Sequence, residues 1–293
     1  MNTARWAPLL LWVVPALWST NYLVARLAQD VVTPHVLALG RWSLALLLLL
    51  PWVARELIEA WPRWRHEWRQ LLVLGGLGMW ICGAFVYQGG LSTTATNIAL
   101  LYAVTPVAIA AASVRLLHER MSGAQRVAVA FALLGVLLVI AKGQLLNLLA
   151  VQWSAGDAWI VVAATSWTAY SLLLKHWRSS LSPLARLVAI IGGGVVVLLP
   201  FTAIEVALVA QPAWSLKATL LIVVAALVPG VLSYGAFSLL QRELGASRTA
   251  LMIYLAPVYG AFGAWMVLGE RPGWHHAAGA ALILPSIWLA TRR

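Results

Sequence analysis

The chain has 293 residues and a formal net charge of +11, with 62% hydrophobic and only 10% charged residues. A soluble domain carries about a quarter charged residues, so this composition excludes a soluble globular protein and predicts a chain surrounded by lipid. The basic residues fall in short segments between apolar runs rather than on one face, which argues against nucleic acid as a partner. The single cysteine, Cys82, excludes an intramolecular disulfide.

Ten apolar runs follow one another along the chain, joined by short connections. A helix of about 20 apolar residues is long enough to cross a bilayer, so the sequence predicts an all-α membrane protein with ten transmembrane helices. The first run lacks a small-x-small cleavage site and is predicted to be retained as a helix. The predicted spans are 6–26, 34–54, 69–90, 94–116, 124–141, 156–176, 183–207, 217–240, 247–269 and 274–290.

The same pattern occurs twice in the chain. Segment 99–120 matches segment 250–271 at a spacing of 151 residues. Further upstream the spacing is 149 residues, and it relates Trp18 to Trp167, Pro34 to Pro183 and Pro51 to Pro200. We therefore predict two five-helix repeats, residues 1–146 and 147–293. Because five is odd, the second repeat is inverted relative to the first, and such repeats place a substrate site between the halves near the bilayer midplane.

The distribution of basic residues sets the predicted orientation in the membrane. With both termini in the cytoplasm, fifteen of the twenty Lys and Arg residues lie inside and four lie outside, while Arg41 falls within a span. An excess of positive charge on the cytoplasmic side is the rule for membrane proteins. We therefore expect both termini on the cytoplasmic side.

The chain has ten predicted spans, a five-plus-five repeat and, in each half, a proline-centred helix that ends in Glu-Arg. In these features it resembles the drug/metabolite transporter superfamily, in its EamA type. The two Glu-Arg pairs are Glu119-Arg120 and Glu270-Arg271, and the resemblance covers essentially the whole chain. Its aromatic richness makes the chain most similar to YddG-type exporters of aromatic amino acids. The resemblance implies export of amino acids or related metabolites across a bacterial inner membrane, by alternating access through a central cavity.

A group of aromatic and amide side chains is predicted to line this cavity and to bind substrate. Trp80 and Tyr87, for example, are seven residues apart and share one face of a regular helix. Aromatic walls suit a flat apolar substrate, because ring pairs contribute about 0.5–1.5 kcal/mol beyond area burial. The alternative for each side chain is packing between helices or against lipid. The candidates are Trp18, Asn21, Trp80, Tyr87, Tyr102, Trp167, Tyr170, Tyr234 and Tyr254.

Pro106 and Pro257 lie within the predicted fourth and ninth spans and are candidate hinges or kinks. A proline inside a helix cannot donate to the carbonyl four residues earlier, which leaves the carbonyls of Tyr102 and Ile253 free. Lipid does not tolerate a free carbonyl, so each is expected to face protein or a wet cavity. The alternative is a kink whose carbonyl is satisfied by a neighbouring side chain.

Arg41 is the one charged residue well inside a predicted span. One interpretation makes it the partner of a substrate carboxylate. The other, slightly favoured by its depth of about 10 Å, is that it extends to the interface or pairs with a helix-end carbonyl. All nine acidic residues fall at or near span ends, which argues against proton coupling through a buried carboxylate.

The sequence contains no phosphate-binding loop, no nucleophile elbow and no Cys/His cluster, so we expect no enzymatic activity, no cofactor and no metal. The expected partners are a small-molecule substrate and the lipid bilayer, and we expect a monomer. Two alternatives stay open. The first is an exporter of drugs or other metabolites from the same family, and the second, less favoured, is a membrane-embedded enzyme.

Overall fold

The computed structural model describes residues 7–93, 98, 101–102, 104–118, 121–150, 153–256, 258–259, 262, 265–266 and 273–291. These residues form helices and connecting turns and contain no strand. The helices are α1 (Ala7–Leu27), α2 (Pro34–Glu59), α3 (Trp61–Gly90), α4 (Thr105–Leu116), α5 (Gly123–Ile140), α6 (Ala155–His176), α7 (Pro183–Leu208), α8 (Leu216–Leu244), α9 (Ala246–Ala250) and α10 (Trp274–Thr291). The 3₁₀ segments Leu145–Ala150 and Leu251–Leu255 precede α6 and follow α9, and a third, Arg65–Glu67, lies within α3.

Six of these helices, α2, α3, α5, α6, α7 and α8, are long and apolar enough to cross a membrane, by length and composition. They correspond to the second, third, fifth, sixth, seventh and eighth predicted spans. Shorter apolar stretches lie in α1 and α4, and the fourth and ninth predicted spans extend over residues outside the described part of the chain. The all-helical fold with several candidate spans is therefore confirmed, while the number of ten transmembrane helices stays a prediction.

The third span begins earlier than predicted. It was expected to begin at residue 69, but α3 starts at Trp61, and the charged segment before residue 69 is helical rather than a loop. Ala60 donates to the carbonyl of Glu56 at the end of α2 and accepts from the N–H of Arg63 at the start of α3. No free linker therefore separates the two helices. Pro62 fits because the first turn of a helix needs no N–H donor.

The helices α2 and α7 pack against each other and are joined at both ends by glutamates. The Glu205 carboxylate accepts from the backbone N–H groups of His35 (3.0 Å) and Val36 (3.2 Å) in the first turn of α2. The Glu56 carboxylate accepts from the backbone N–H and the hydroxyl of Ser182, both at 2.7 Å, at the start of α7. Helix amino ends carry unpaired N–H groups and a partial positive charge, so each carboxylate stabilises the end it binds. The two helices are therefore antiparallel.

The same antiparallel relation joins α5 and α10, the last helix of each predicted repeat. Just beyond the carboxyl end of α5, a Cβ added at Gly143 would meet the ring of Trp274 at the start of α10. Further along, Gly135 faces Gly279, and a Cβ on either residue would lie within 2.9 Å of the other's carbonyl oxygen. Glycine at these two positions allows the backbones to approach closely.

The main contacts between helices have equivalent contacts between the counterpart helices of the other half. The helix α3 packs on α6, as α8 packs on α1, and α2 and α5 each pack on their own counterparts, α7 and α10. Because counterpart helices are also antiparallel, this is the pattern that inverted repeats require. The predicted boundary at residues 146 and 147 falls in the 3₁₀ segment Leu145–Ala150 and stays a prediction.

The main core lies where α1, α2, α3, α6, α7 and α8 meet. Trp42, Tyr170 and Phe237 are fully buried there. A second apolar cluster lies between α5, α10 and the segment Leu251–Leu255, and it contains Tyr254. The larger core therefore forms between the two predicted repeats rather than within either one.

Replacing either capping glutamate, by Glu56→Ala or Glu205→Ala, is expected to destabilise the protein by about 2 kcal/mol, because helix N–H groups lose a charged acceptor. The matched control is Glu59→Ala. Its side chain is 62% exposed and pairs with Arg55 on the same helix, and such pairs contribute at most about 1 kcal/mol. Thermal unfolding in detergent, followed by circular dichroism, measures the difference. Equal losses in all three variants contradict the capping role.

Candidate substrate cavity

A cavity of ≈ 100 Å³ lies among α1, α2, α3, α6, α8 and the segment Leu251–Leu255. Its lining is mostly aromatic and aliphatic with a few polar groups, which is the composition of a small-molecule pocket. The predicted site residues in this lining are Trp18, Asn21, Tyr102, Trp167 and Tyr234. The other lining residues are Pro15, Arg41, Cys82, Gly83, Val86, Pro229, Ile253 and Ala256. Contact of the five predicted residues with a substrate stays a prediction.

The aromatic wall of the cavity is built around Trp18 of α1 and Trp167 of α6, whose rings meet edge to face with centroids 5.2 Å apart. These residues occupy matching positions in the two repeats, and matching positions touch only near the axis that relates the halves. Tyr234 of α8 lies 5.8 Å from each of the two rings. Tyr170 is fully buried and stacks on Trp167 at 5.4 Å, so it supports the wall from behind.

Trp80 and Tyr254 lie away from the cavity lining. Trp80 stacks on Phe201 of α7 at 3.8 Å, and Tyr254 is buried in the cluster between α5 and α10. Trp80 belongs to a π-helical segment, Gly76–Ile81, and Tyr254 to the 3₁₀ segment Leu251–Leu255. Both helix types change the angle between successive side chains, so regular α-helical spacing does not describe which face these residues occupy.

Arg41 of α2 is a buried charge in the cavity wall, only 3% exposed. Its Nη1 donates to the hydroxyl of Tyr87 (2.8 Å) and to Oδ1 of Asn21 (3.2 Å), and Tyr87 donates to the same Asn21 oxygen (2.6 Å). The guanidinium also lies over the ring of Trp42, 4.4 Å from its centroid. The favoured expectation that Arg41 extends to the interface or a helix-end carbonyl is therefore wrong. Depth along a helix does not determine the direction in which a side chain points.

Matching π-helical segments interrupt α3 at Gly76–Ile81 and α8 at Ala226–Leu232. Such segments disturb the regular backbone hydrogen bonding and leave carbonyls available to side chains. Three consecutive carbonyls of the α3 segment accept from other helices: Leu77 from Ser166 (2.8 Å), Gly78 from Tyr234 (3.2 Å) and Met79 from Trp42 (3.1 Å). The segment thus ties α3 to α6, α8 and α2 beside the cavity. Sequence reasoning missed both segments, although Gly75-Gly76 and Pro229-Gly230 were available signals.

The helix α4 begins at Thr105, which places Pro106 in its first turn. An N–H in the first turn has no acceptor within the helix, so proline costs no helix hydrogen bond there. The carbonyl of Tyr102 accepts from the Thr105 hydroxyl at 2.7 Å. This agrees with the alternative in which a neighbouring side chain satisfies that carbonyl. The role of Pro106 as a hinge stays a prediction, and Pro257 lies outside the described residues.

Comparison with known proteins points to one family. The model of the EamA-like transporter family matches residues 5–141 and again residues 154–292. An uncharacterized transporter of Archaeoglobus fulgidus is 24% identical over 290 residues, 97% of each chain. The uncharacterized transporter YyaM of Bacillus subtilis is 30% identical over 192 residues, 64% of this chain and 61% of that protein. A crystal structure with 17% identity has a TM-score of 0.76 over 97% of this chain and 96% of that chain, so the fold is shared.

The variant Ser166→Ala is expected to destabilise the protein by about 1 kcal/mol, because α6 loses its hydrogen bond to the π segment of α3. The carbonyl of Leu77 keeps the backbone N–H of Cys82 as a donor. The matched control is Ser238→Ala. The Ser238 hydroxyl donates to the Tyr234 carbonyl four residues earlier, so this bond lies within one helix and joins no second helix, and a change below about 0.5 kcal/mol is expected. Thermal unfolding of both purified variants measures the difference. A loss in Ser238→Ala as large as that in Ser166→Ala contradicts this role of Ser166.

Proposed function

Because the chain belongs to the EamA-like transporter family, it is a membrane transporter rather than an enzyme, and we propose that it exports amino acids with aromatic or other apolar side chains. The observation that carries this proposal is the aromatic wall formed by Trp18, Trp167 and Tyr234 at the junction of the halves. Aromatic rings bind flat apolar groups well, and pockets of this composition hold small molecules.

We infer alternating access as the transport mechanism. It is supported by the antiparallel relation of the counterpart helices and by the two glutamate caps, one at each end of the α2–α7 pair. Rocking of one half against the other opens one end of such a pair while the opposite end stays closed. The cavity lies beside this pair, with Arg41 of α2 in its wall.

We also infer a monomer in a bacterial inner membrane, with both termini in the cytoplasm. The excess of basic residues on one side, fifteen against four, supports the orientation, while the monomer and the bacterial inner membrane are part of the proposal. In this orientation the Glu56–Ser182 cap lies at the cytoplasmic end of the α2–α7 pair, and the Glu205–His35 cap lies at the outer end.

Cysteine labelling in intact cells tests this orientation. In a Cys82→Ser background the chain has no other cysteine. A new cysteine at the exposed position Ala213, between α7 and α8, is expected to react with a membrane-impermeant maleimide added outside. A cysteine at the exposed position His66, at the start of α3, is expected to react only after the membrane is permeabilised. The reverse pattern contradicts the proposed orientation.

Transport measurements test the substrate class. Trp18→Leu is expected to lower the initial rate of tryptophan movement in proteoliposomes by up to about tenfold, because the cavity loses an aromatic ring whose pairing with a substrate ring contributes about 0.5–1.5 kcal/mol. The matched control is Trp52→Leu, since Trp52 is 82% exposed on α2. Labelled tryptophan, phenylalanine and leucine are compared in counterflow.

Two outcomes of this transport assay contradict the proposal. Equal rates in Trp18→Leu and Trp52→Leu exclude Trp18 from the substrate path. In the second outcome, the unmutated protein moves none of the three amino acids but does move a drug or another metabolite. This result rejects amino acids as the substrate class and favours the alternative substrates of the same family.

A further inference from the structure

Arg41 carries a buried positive charge that has no anionic partner among the described residues. Both of its hydrogen bonds leave from Nη1 and reach the neutral side chains of Asn21 and Tyr87. Its Nε is buried and has no hydrogen-bond partner in the described part of the chain. The Nε–Nη2 edge is one of the two edges by which a guanidinium binds a carboxylate with two parallel hydrogen bonds. The Nε donor of that edge is therefore unsatisfied among the described residues.

A cation at this position is costly without an anion. Arginine does not lose its proton in proteins, and a buried charge inside a membrane span normally pairs with another charged or polar group. The ring of Trp42, 4.4 Å away, offsets part of this cost through a cation–π contact. A ring contacts the flat face of the guanidinium and supplies no acceptor to the Nε–H, so this buried donor still lacks an anion among the described residues.

Comparison of the two halves indicates that packing alone does not require this charge. At the spacing of 149 residues that relates Trp18 to Trp167, Arg41 corresponds to Ile190 and Asn21 corresponds to Tyr170. Both counterparts are almost fully buried. An aliphatic side chain therefore fills the counterpart of the Arg41 position in the second half, and the guanidinium belongs to one half only.

We propose that Arg41 binds the carboxylate of the transported molecule through its Nε–Nη2 edge, with Asn21 and Tyr87 as positioning residues that hold the guanidinium. This inference rests on the proposed function and narrows it to molecules that combine a carboxylate with an aromatic or apolar body. The body lies against Trp18 and Tyr234, which line the same cavity. Amines that lack a carboxylate are rejected, because they bring a second positive charge towards Arg41 without an anion to pair with it.

A series of related ligands tests this proposal on the unmutated protein, purified in lipid nanodiscs. The probes are L-tryptophan and indole-3-propionate, which carry a carboxylate, and L-tryptophanamide and tryptamine, which do not. Isothermal titration calorimetry is expected to show affinities for the two carboxylates at least tenfold higher than for the other two. Equal affinity for tryptophan and tryptophanamide overturns the proposal and needs no variant to do so.

A pair of variants tests the role of Arg41 itself. Arg41→Met is expected to weaken tryptophan binding at least tenfold and to leave tryptophanamide binding unchanged. The matched control is Arg55→Met, since Arg55 is 91% exposed on the same helix, and it is expected to bind both ligands like the unmutated protein. Undiminished tryptophan binding in a folded Arg41→Met protein overturns the proposal.

The positioning role has its own measurement. Tyr87→Phe removes the hydroxyl that accepts from Arg41 and donates to Asn21. It is expected to lower the ratio of tryptophan affinity to tryptophanamide affinity by several-fold, while the affinity for the amide stays constant. A purely structural role for Tyr87 changes both affinities together and contradicts positioning.

Failure of the proposed function gives a different result from failure of this inference. When none of the indole compounds binds, the short carboxylates L-alanine and pyruvate are compared with their amides in the same assay. Binding of these carboxylates that is lost in Arg41→Met supports the carboxylate site and rejects the aromatic substrate class. Absence of binding by every carboxylate overturns both proposals.

Discussion

The reciprocal capping of α2 and α7 is the constraint on which the rest of the structure depends. Glu56 and Glu205 each bind the amino end of the other's helix, so neither helix can slide without leaving N–H groups unpaired. This fixes the depth of Arg41 and Trp42 along α2. Arg41 then reaches Tyr87, and Trp42 donates to a backbone carbonyl of α3. The caps at the helix ends therefore determine which groups face the cavity in the middle.

The π segment Gly76–Ile81 joins this frame to the cavity. The segment departs from the regular α-helical hydrogen-bonding pattern, and lipid does not satisfy a free carbonyl, so donors from other helices stabilise it. Ser166, Tyr234 and Trp42 are those donors. Trp80, in the same segment, donates to His35 beside the Glu205 cap at 3.4 Å. One short element thus contacts both an end cap and the cavity wall.

Hydropathy and charge predicted the helical class and most span positions, because bilayer thickness sets the length of an apolar run. The face of a side chain was less predictable. Trp80 and Tyr254 lie in π-helical and 3₁₀ segments. Gly75-Gly76 signals an irregular helix near Trp80, but it does not determine the face on which the Trp80 side chain lies. The direction of Arg41 depends on partners from two other helices. Glu56 and Glu205, in contrast, are 149 residues apart, and this repeat spacing was a usable signal for their shared role.

Movement and recognition depend on different parts of the repeat. Alternating access needs two halves of similar shape, and the antiparallel helix pairs, the two caps and the contact of Trp18 with Trp167 are shared by both halves. Recognition of an amino acid needs the opposite, because one end of the molecule is charged and the other is apolar. The position of Arg41 in one half is occupied by Ile190 in the other, and this difference suits the proposed amino-acid substrate. In the proposed mechanism, the features that the two halves share serve the movement, and the difference between Arg41 and Ile190 serves recognition of the substrate.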